Sequence, residues 1–335
     1  MSGERDALTD DRRPVRPSAR MRDRVWSSSR DQAPLMRRPA VYLLAAATVT
    51  VLGLNWPIMS IGVELVPPLW LAAFRMGGAA LVVAAAMSPR GVPRPHPADR
   101  PILWSVGLTR LALVTALVFS ALEFVPPGRS SILVYTASLW TVPLAVGFLH
   151  ERLTALRVAG LTLGSVGVVL LFEPWALDWD DDRLLVGLGM LLVAAIANAV
   201  SIVHIRAHRW AGTPFELMPW QLGLAAVPIA IVAVAIEGTP DVRWTAATVA
   251  VVAYQVLLGS AFGFWGVLTI SRSLPAITTN LTLMAVPVVG LGSSIAITRE
   301  RLSPAVTASL VLILAGVGLA VLSDRQRREP LLEAP

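Results

Sequence analysis

From residue 40 to residue 322 the chain is a succession of ten apolar runs with short polar breaks, a pattern no soluble core can use. The runs cover 40–61, 67–87, 101–121, 128–149, 155–172, 184–204, 214–236, 245–271, 276–297 and 304–322. A helix rises about 1.5 Å per residue, so about 20 apolar residues cross the roughly 30 Å of bilayer hydrocarbon. The runs are uninterrupted and lack the alternation of a membrane barrel strand, so helices are the structure that can satisfy their backbone in lipid. Charged residues are 15% of the chain, against about 25% in a soluble domain. Trp70, Trp104, Trp175, Trp179, Trp210 and Trp244 fall near run ends, where indole prefers the membrane interface.

A short polar signature recurs between runs. Glu151-Arg152-Leu153-Thr154 returns as Glu300-Arg301-Leu302-Ser303, each copy closing one run and preceding the next. At the same offset Gly167 and Val168 match Gly316 and Val317, and Leu161 and Leu163 match Leu310 and Leu312. In the second run of each half Pro68, Gly77, Ala79 and Ala80 match Pro214, Gly223, Ala225 and Ala226, which sets Arg75 opposite Gln221. The chain therefore reads as one five-helix unit written twice, over 40–172 and 184–322. Five spans is an odd number, so the two copies cross the membrane in opposite senses. Thr154 and Ser303 are placed as helix N-caps, with Pro304 at the favoured first helical position. The Glu151, Arg152, Glu300 and Arg301 side chains read as partners of each other or of helix ends, making these turns structural.

Arginine sets the orientation. All 28 basic residues are Arg, ten of them before position 39. With the amino terminus inside, the inner loops hold Arg90, Arg94, Arg100, Arg152, Arg157, Arg206, Arg209 and Arg272, and the outer loops Arg129, Arg183, Arg243, Arg299 and Arg301. Both termini are expected in the cytoplasm. Residues 1–39 read as a disordered Arg-rich cytoplasmic tail, and 323–335 as a second tail. The scattered Arg form no basic face for nucleic acid. Cysteine is absent, which excludes disulfides and thiolate metal sites.

On these features the chain resembles the EamA-type permeases of the drug/metabolite transporter superfamily, over about residues 40–322. The resemblance is carried by Asn55-Trp56, by Arg75, by the segment Gly128-Arg129-Ser130-Ser131-Ile132-Leu133-Val134-Tyr135-Thr136, and by the two Glu-Arg-Leu-Thr/Ser turns. It departs from the family pattern at Ser138, where a Pro is common; the second half keeps Pro287 at the matching offset. A helix distortion in span four would then depend on Pro143. The resemblance implies an all-α integral membrane fold and a secondary transporter of small metabolites, with export of amino acids or related compounds first.

The polar residues inside the spans are the candidate substrate site. Arg75 lies about 12 Å below the surface at 1.5 Å per residue. Two readings compete for it: an ion pair reaching Glu64 or Glu123, or a guanidinium in a central cavity accepting a substrate carboxylate. Gln221 would be the matching polar position. Arg110, in span three, reads as snorkelling or as a helix–helix bond. Asn55 and Asn198 occupy corresponding places and either orient substrate or bond across helices. Trp56, Tyr135, Trp140, Trp220, Tyr254, Gln255 and Trp265 are candidates for an aromatic and amide wall. No Asp or Glu stands in mid-span, which points to facilitated transport or to coupling through a boundary carboxylate such as Glu123.

Other motifs fail. Asp178, Asp180, Asp181 and Asp182 resemble a calcium loop, but Arg183 and Gly189 stand where Gly and Glu are needed. His204 and His208 lack a third zinc ligand. No phosphate-cradling loop indicates ATP, and no nucleophile–base pair indicates an enzyme. No cofactor or metal is expected. The reading is a multi-pass protein of the bacterial plasma membrane, working by alternating access on a small-molecule substrate, with two fused halves that are compatible with a monomer and leave the oligomeric state open. Drug or lipid-headgroup efflux, and a non-transporting scaffold or sensor, are the alternatives.

Overall fold

The computed structural model describes residues 38–149, 154–172, 181–274, 279, 282–299 and 303–326. Among them every regular element is a helix. They run α1 (Arg38–Leu65), α2 (Pro68–Met87), α3 (Pro97–Ala121), α4 (Pro127–Leu149), α5 (Ala155–Phe172), α6 (Asp182–Ala207), α7 (Pro214–Glu237), α8 (Ala246–Ser273), α9 (Ala285–Thr298) and α10 (Pro304–Gln326). Seven of these, α1 to α4 and α6 to α8, are long and apolar enough to cross a membrane. The remaining apolar stretches are shorter, at Val158–Leu171, Ala285–Thr298 and Pro304–Leu319. Large side chains such as Leu43, Leu81, Phe148, Ile231 and Ile236 stand exposed on the outside, as helices bathed in lipid require.

Local sequence explains the helix ends. Pro68, Pro127, Pro214 and Pro304 open helices with a residue that has no N–H to leave unsatisfied. Thr213 caps α7 in a capping box with Glu216. The Ser303 hydroxyl accepts from Val306 N–H at 3.1 Å, and the Thr154 carbonyl accepts from Val158 N–H at 3.0 Å. Glu151, Arg152, Glu300 and Arg301 lie outside the described residues.

The halves meet through matched contacts. α2 packs on α7 and α5 on α10; α1 packs on α9 as α4 does on α6; α2 packs on α8 as α7 does on α3. Small residues permit the close approaches. Gly77 faces Ala226 and Gly223 faces Ala80, which are the positions the internal repeat matches. The distortions are matched as well. Val106–Leu113 in α3 and Tyr254–Phe262 in α8 are π-helical, a geometry that is rare and weakens the local hydrogen-bond ladder. α4 breaks at Thr136, with Pro143 inside the helix that follows, so a distortion is present in span four without proline at its origin. The Thr136 hydroxyl instead donates to Leu133 O at 2.6 Å.

Two carboxylates tie helix ends together. Asp99, fully buried, accepts from His208 Nε2 at 2.9 Å, Ala211 N–H at 3.0 Å and Gly212 N–H at 2.8 Å. At the far end of α7, Glu237 accepts from Leu69 N–H at 2.9 Å and Trp70 N–H at 3.2 Å, covering the first turn of α2. Asp99→Ala would leave two loop N–H groups and a ring nitrogen unpaired, each at about 1–3 kcal/mol. Its expected result is a lower unfolding temperature together with protease cleavage between residues 208 and 213. An unchanged digestion pattern would contradict the assignment.

Candidate functional site

A cavity of about 810 Å³ lies between the halves. Its wall draws on α1 (Leu52, Asn55, Trp56, Met59), α2 (Arg75, Met76) and α3 (Arg110, Val114, Thr115, Phe119). α4 adds Ile132, Tyr135, Ser138 and Thr141, α6 adds Asn198 and Arg206, and Phe264, Pro287 and Ile313 close the far side. Distorted segments contribute to the wall at two places: Arg110 sits in the π-helical part of α3, and Tyr135 and Ser138 flank the α4 break. The lining reaches exposed Arg206 in the last turn of α6, at the end of the molecule where Asp99 holds His208.

Arg75 pairs with neither Glu64 nor Glu123, both of which are exposed. Its Nε donates to Ser260 Oγ at 2.7 Å, Nη1 to Gln255 Oε1 at 3.2 Å and Met59 Sδ at 3.3 Å, and Nη2 to Gly259 O at 3.2 Å. The guanidinium also lies 5.6 Å from the centre of the Phe119 ring. The physical reason is the π-helical stretch of α8, which turns polar groups and a backbone carbonyl toward α2. Arg75 lines the cavity, yet its donors are directed at protein.

Arg110 is different. It lines the cavity, has the Tyr135 hydroxyl as its electrostatic neighbour, and makes no hydrogen bond or ion pair with another described residue. Sequence reasoning assigned it to snorkelling or to a helix–helix bond; the structure turns it into the cavity. What the sequence could not supply was the π-helical register that rotates it there.

Asn55, Trp56, Tyr135 and Asn198 all line the cavity. Asn55 Nδ2 donates to Met59 Sδ at 2.8 Å, while the Asn55 and Asn198 Oδ1 atoms have no partner among the described residues. Gln221 is buried on α7, its backbone carbonyl near Gly107, and is not part of the lining. The other expected aromatics also stand outside it. Trp140 Nε1 donates to Thr136 Oγ1 at 3.2 Å and Tyr254 to Val51 O at 2.8 Å. Trp220 is exposed and donates to Pro93 O at 2.8 Å, and Trp265 is exposed beside Phe262. Trp140, Trp220 and Tyr254 thus satisfy their polar atoms within a helix, on a loop carbonyl and across to α1 respectively. Met59 and Phe119, which sequence reasoning missed, carried no polar signal to find them by.

No carboxylate lines the cavity among the described residues. Glu123 sits beyond the end of α3, exposed. Burial raises its carboxyl above the usual range, Glu237 adds in the same direction, and Arg183 opposes both.

Residues 39–173 match the EamA-like transporter family. A Salmonella typhimurium protein described as a probable amino-acid metabolite efflux pump is 29% identical over 85% of this chain and 96% of its own. A Streptantibioticus cattleyicolor protein described as a probable terminal-alkyne amino-acid exporter is 28% identical over 73% of this chain and 81% of its own. One crystal structure superposes with a TM-score of 0.61 at 24% identity, covering 88% of this chain and 99% of that one, a likeness of fold alone. The family match over residues 39–173 and the descriptions of these relatives support a membrane transporter similar to the EamA-type permeases.

Proposed function

We propose that the chain exports amino acids or related small metabolites across the bacterial plasma membrane by alternating access. Ten spans form two inverted five-helix repeats, over 40–172 and 184–322, with both termini in the cytoplasm. The matched helix contacts and the paired π-helical segments support the repeat. The observation that carries the proposal is the cavity itself, whose lining extends to Arg206, at the end of the molecule that the Arg bias of the loops favours as cytoplasmic. A cavity reached from the cytoplasm admits cargo from that side, and the names of the relatives favour export and this cargo class.

Trp56, Tyr135, Asn55 and Asn198 would contact cargo directly, and Arg75 would hold the wall. The test is flux from proteoliposomes loaded with radiolabelled amino acids and derivatives, against cationic dyes. Saturable efflux of the former supports the proposal; flux of dyes alone, or none from folded protein, overturns it. Since no carboxylate lines the cavity among the described residues, an imposed pH gradient is expected to leave the initial rate unchanged. A stimulation abolished by Glu123→Gln would instead make Glu123 the coupling group.

A further inference from the structure

Resting on that transport reading, we infer that the cargo is an amphipathic organic anion, a carboxylate with an apolar body and no ammonium, such as an N-acylated amino acid, anchored by Arg110. The argument is one of charge inside a partly dehydrated space. Arg75 and Arg110 both line the cavity, and no Asp or Glu does so among the described residues. A zwitterion needs two matched charges there. An ammonium taken from water requires an anion or several acceptors, and an unpaired buried charge is strongly unfavourable.

The acceptors on offer among the described residues are neutral: the amide oxygens of Asn55 and Asn198, the first of which lies against Gly259, and the hydroxyls of Thr115, Ser138, Tyr135 and Thr141, the last already donating to Ala137 O. None carries a negative charge to offset the Arg75 and Arg110 guanidiniums, which repel any cation beside them. For a carboxylate the same space is favourable. Arg110 presents donors that no described residue takes up, in the fork geometry that grips a carboxylate with two bonds. The remaining wall is apolar, with Leu52, Trp56, Met76, Val114, Phe119 and Ile132, and fits an acyl or aliphatic body.

The same reading accounts for the missing proton relay. In a uniport cycle the net charge moved is that of the cargo. An inside-negative membrane potential therefore drives an anion outward with no carboxylate needed in the cavity.

The experiment uses the full chain and three probes of one shape: N-acetyl-leucine, leucine and leucinamide. Binding is measured on purified protein. Efflux is followed from proteoliposomes with a potassium diffusion potential of either sign. The expected order is N-acetyl-leucine above leucine by about tenfold or more, with leucinamide unbound. Efflux of N-acetyl-leucine is expected to accelerate when the interior is negative. Arg110→Gln should abolish its binding at an unchanged unfolding temperature, and Arg110→Lys should keep part of it. Asn198→Asp, which adds a carboxylate to the wall, should shift preference toward leucine even if the Arg110 variants fail to fold. Leucine bound as tightly as its acetyl derivative, with efflux indifferent to potential, overturns the anion inference and leaves the transport reading standing. No binding or flux of any probe by folded wild-type protein overturns both.

Discussion

Arg75→Leu is expected to destabilise the protein by several kcal/mol, whereas Arg110→Gln, one helix away on the same cavity, leaves stability near that of the wild type. Arg75 donates to Ser260, Gln255, Met59 and the Gly259 carbonyl, joining α2 to the π-helical part of α8. A hydrogen bond to a charged group contributes about 1.5–3 kcal/mol, and removing one partner strands the other in a space that water reaches poorly. Losing the guanidinium removes a donor from a hydroxyl, an amide oxygen and a backbone carbonyl together. Arg75→Lys should recover a fraction only, because one ammonium cannot reach acceptors on three residues from a single point. Arg110 has no such partners to strand among the described residues. Unfolding temperatures of the two variants in one detergent decide the matter. Equal losses would mean that Arg110 is also a structural clamp. An Arg75→Leu chain that melts like wild type would free Arg75 to be a ligand.

The contrast between these two arginines shows where sequence reasoning reached its limit. Periodicity and depth placed both residues inside spans, and that placement is what the structure has. Which way each faces depends on the π-helical segments at 106–113 and 254–262. Those differ from an α-helix by the register of backbone bonds and leave no mark in a run of apolar residues. Apart from Met59, the hydrogen-bond partners of Arg75 are 180 or more positions away in the chain, beyond any local pattern. Capping at Ser303 and the small residues Gly77, Gly223, Gly167 and Gly316 were legible, because they answer to local backbone chemistry and to a repeat printed twice. The aromatic wall was overdrawn for a related reason. An indole or phenol in a span must satisfy its polar atom, and Trp140, Trp220 and Tyr254 do so on protein groups away from the cavity lining, which composition cannot distinguish from a cavity.

Gly316→Ala should damage the protein more than any other single methyl added to its glycines in open or side-chain surroundings. α5 and α10 pack so closely that a Cβ on Gly316 would stand 2.5 Å from Gly160 O, 2.8 Å from Gly164 N and 3.0 Å from Gly164 Cα. All three are backbone atoms of a helix and none can rotate away. The helices must separate along their shared length, giving up contacts that are the main attraction between helices in lipid, where burial from water contributes little. Overpacking of this kind costs about 1–3 kcal/mol, more when backbone must move. Gly164→Ala meets Leu139, a side chain with rotamers to spare, so its effect should be smaller. Gly292 has nothing within 4 Å of the added carbon, and there alanine should be neutral or stabilising by up to about 1 kcal/mol through helix propensity. The expected order of unfolding temperatures is Gly316→Ala lowest, Gly164→Ala next, and Gly292→Ala at or above wild type. If Gly316→Ala melts with wild type, then α5 and α10 are not in backbone contact, and the matched glycines at 167 and 316 record common descent without a shared packing role.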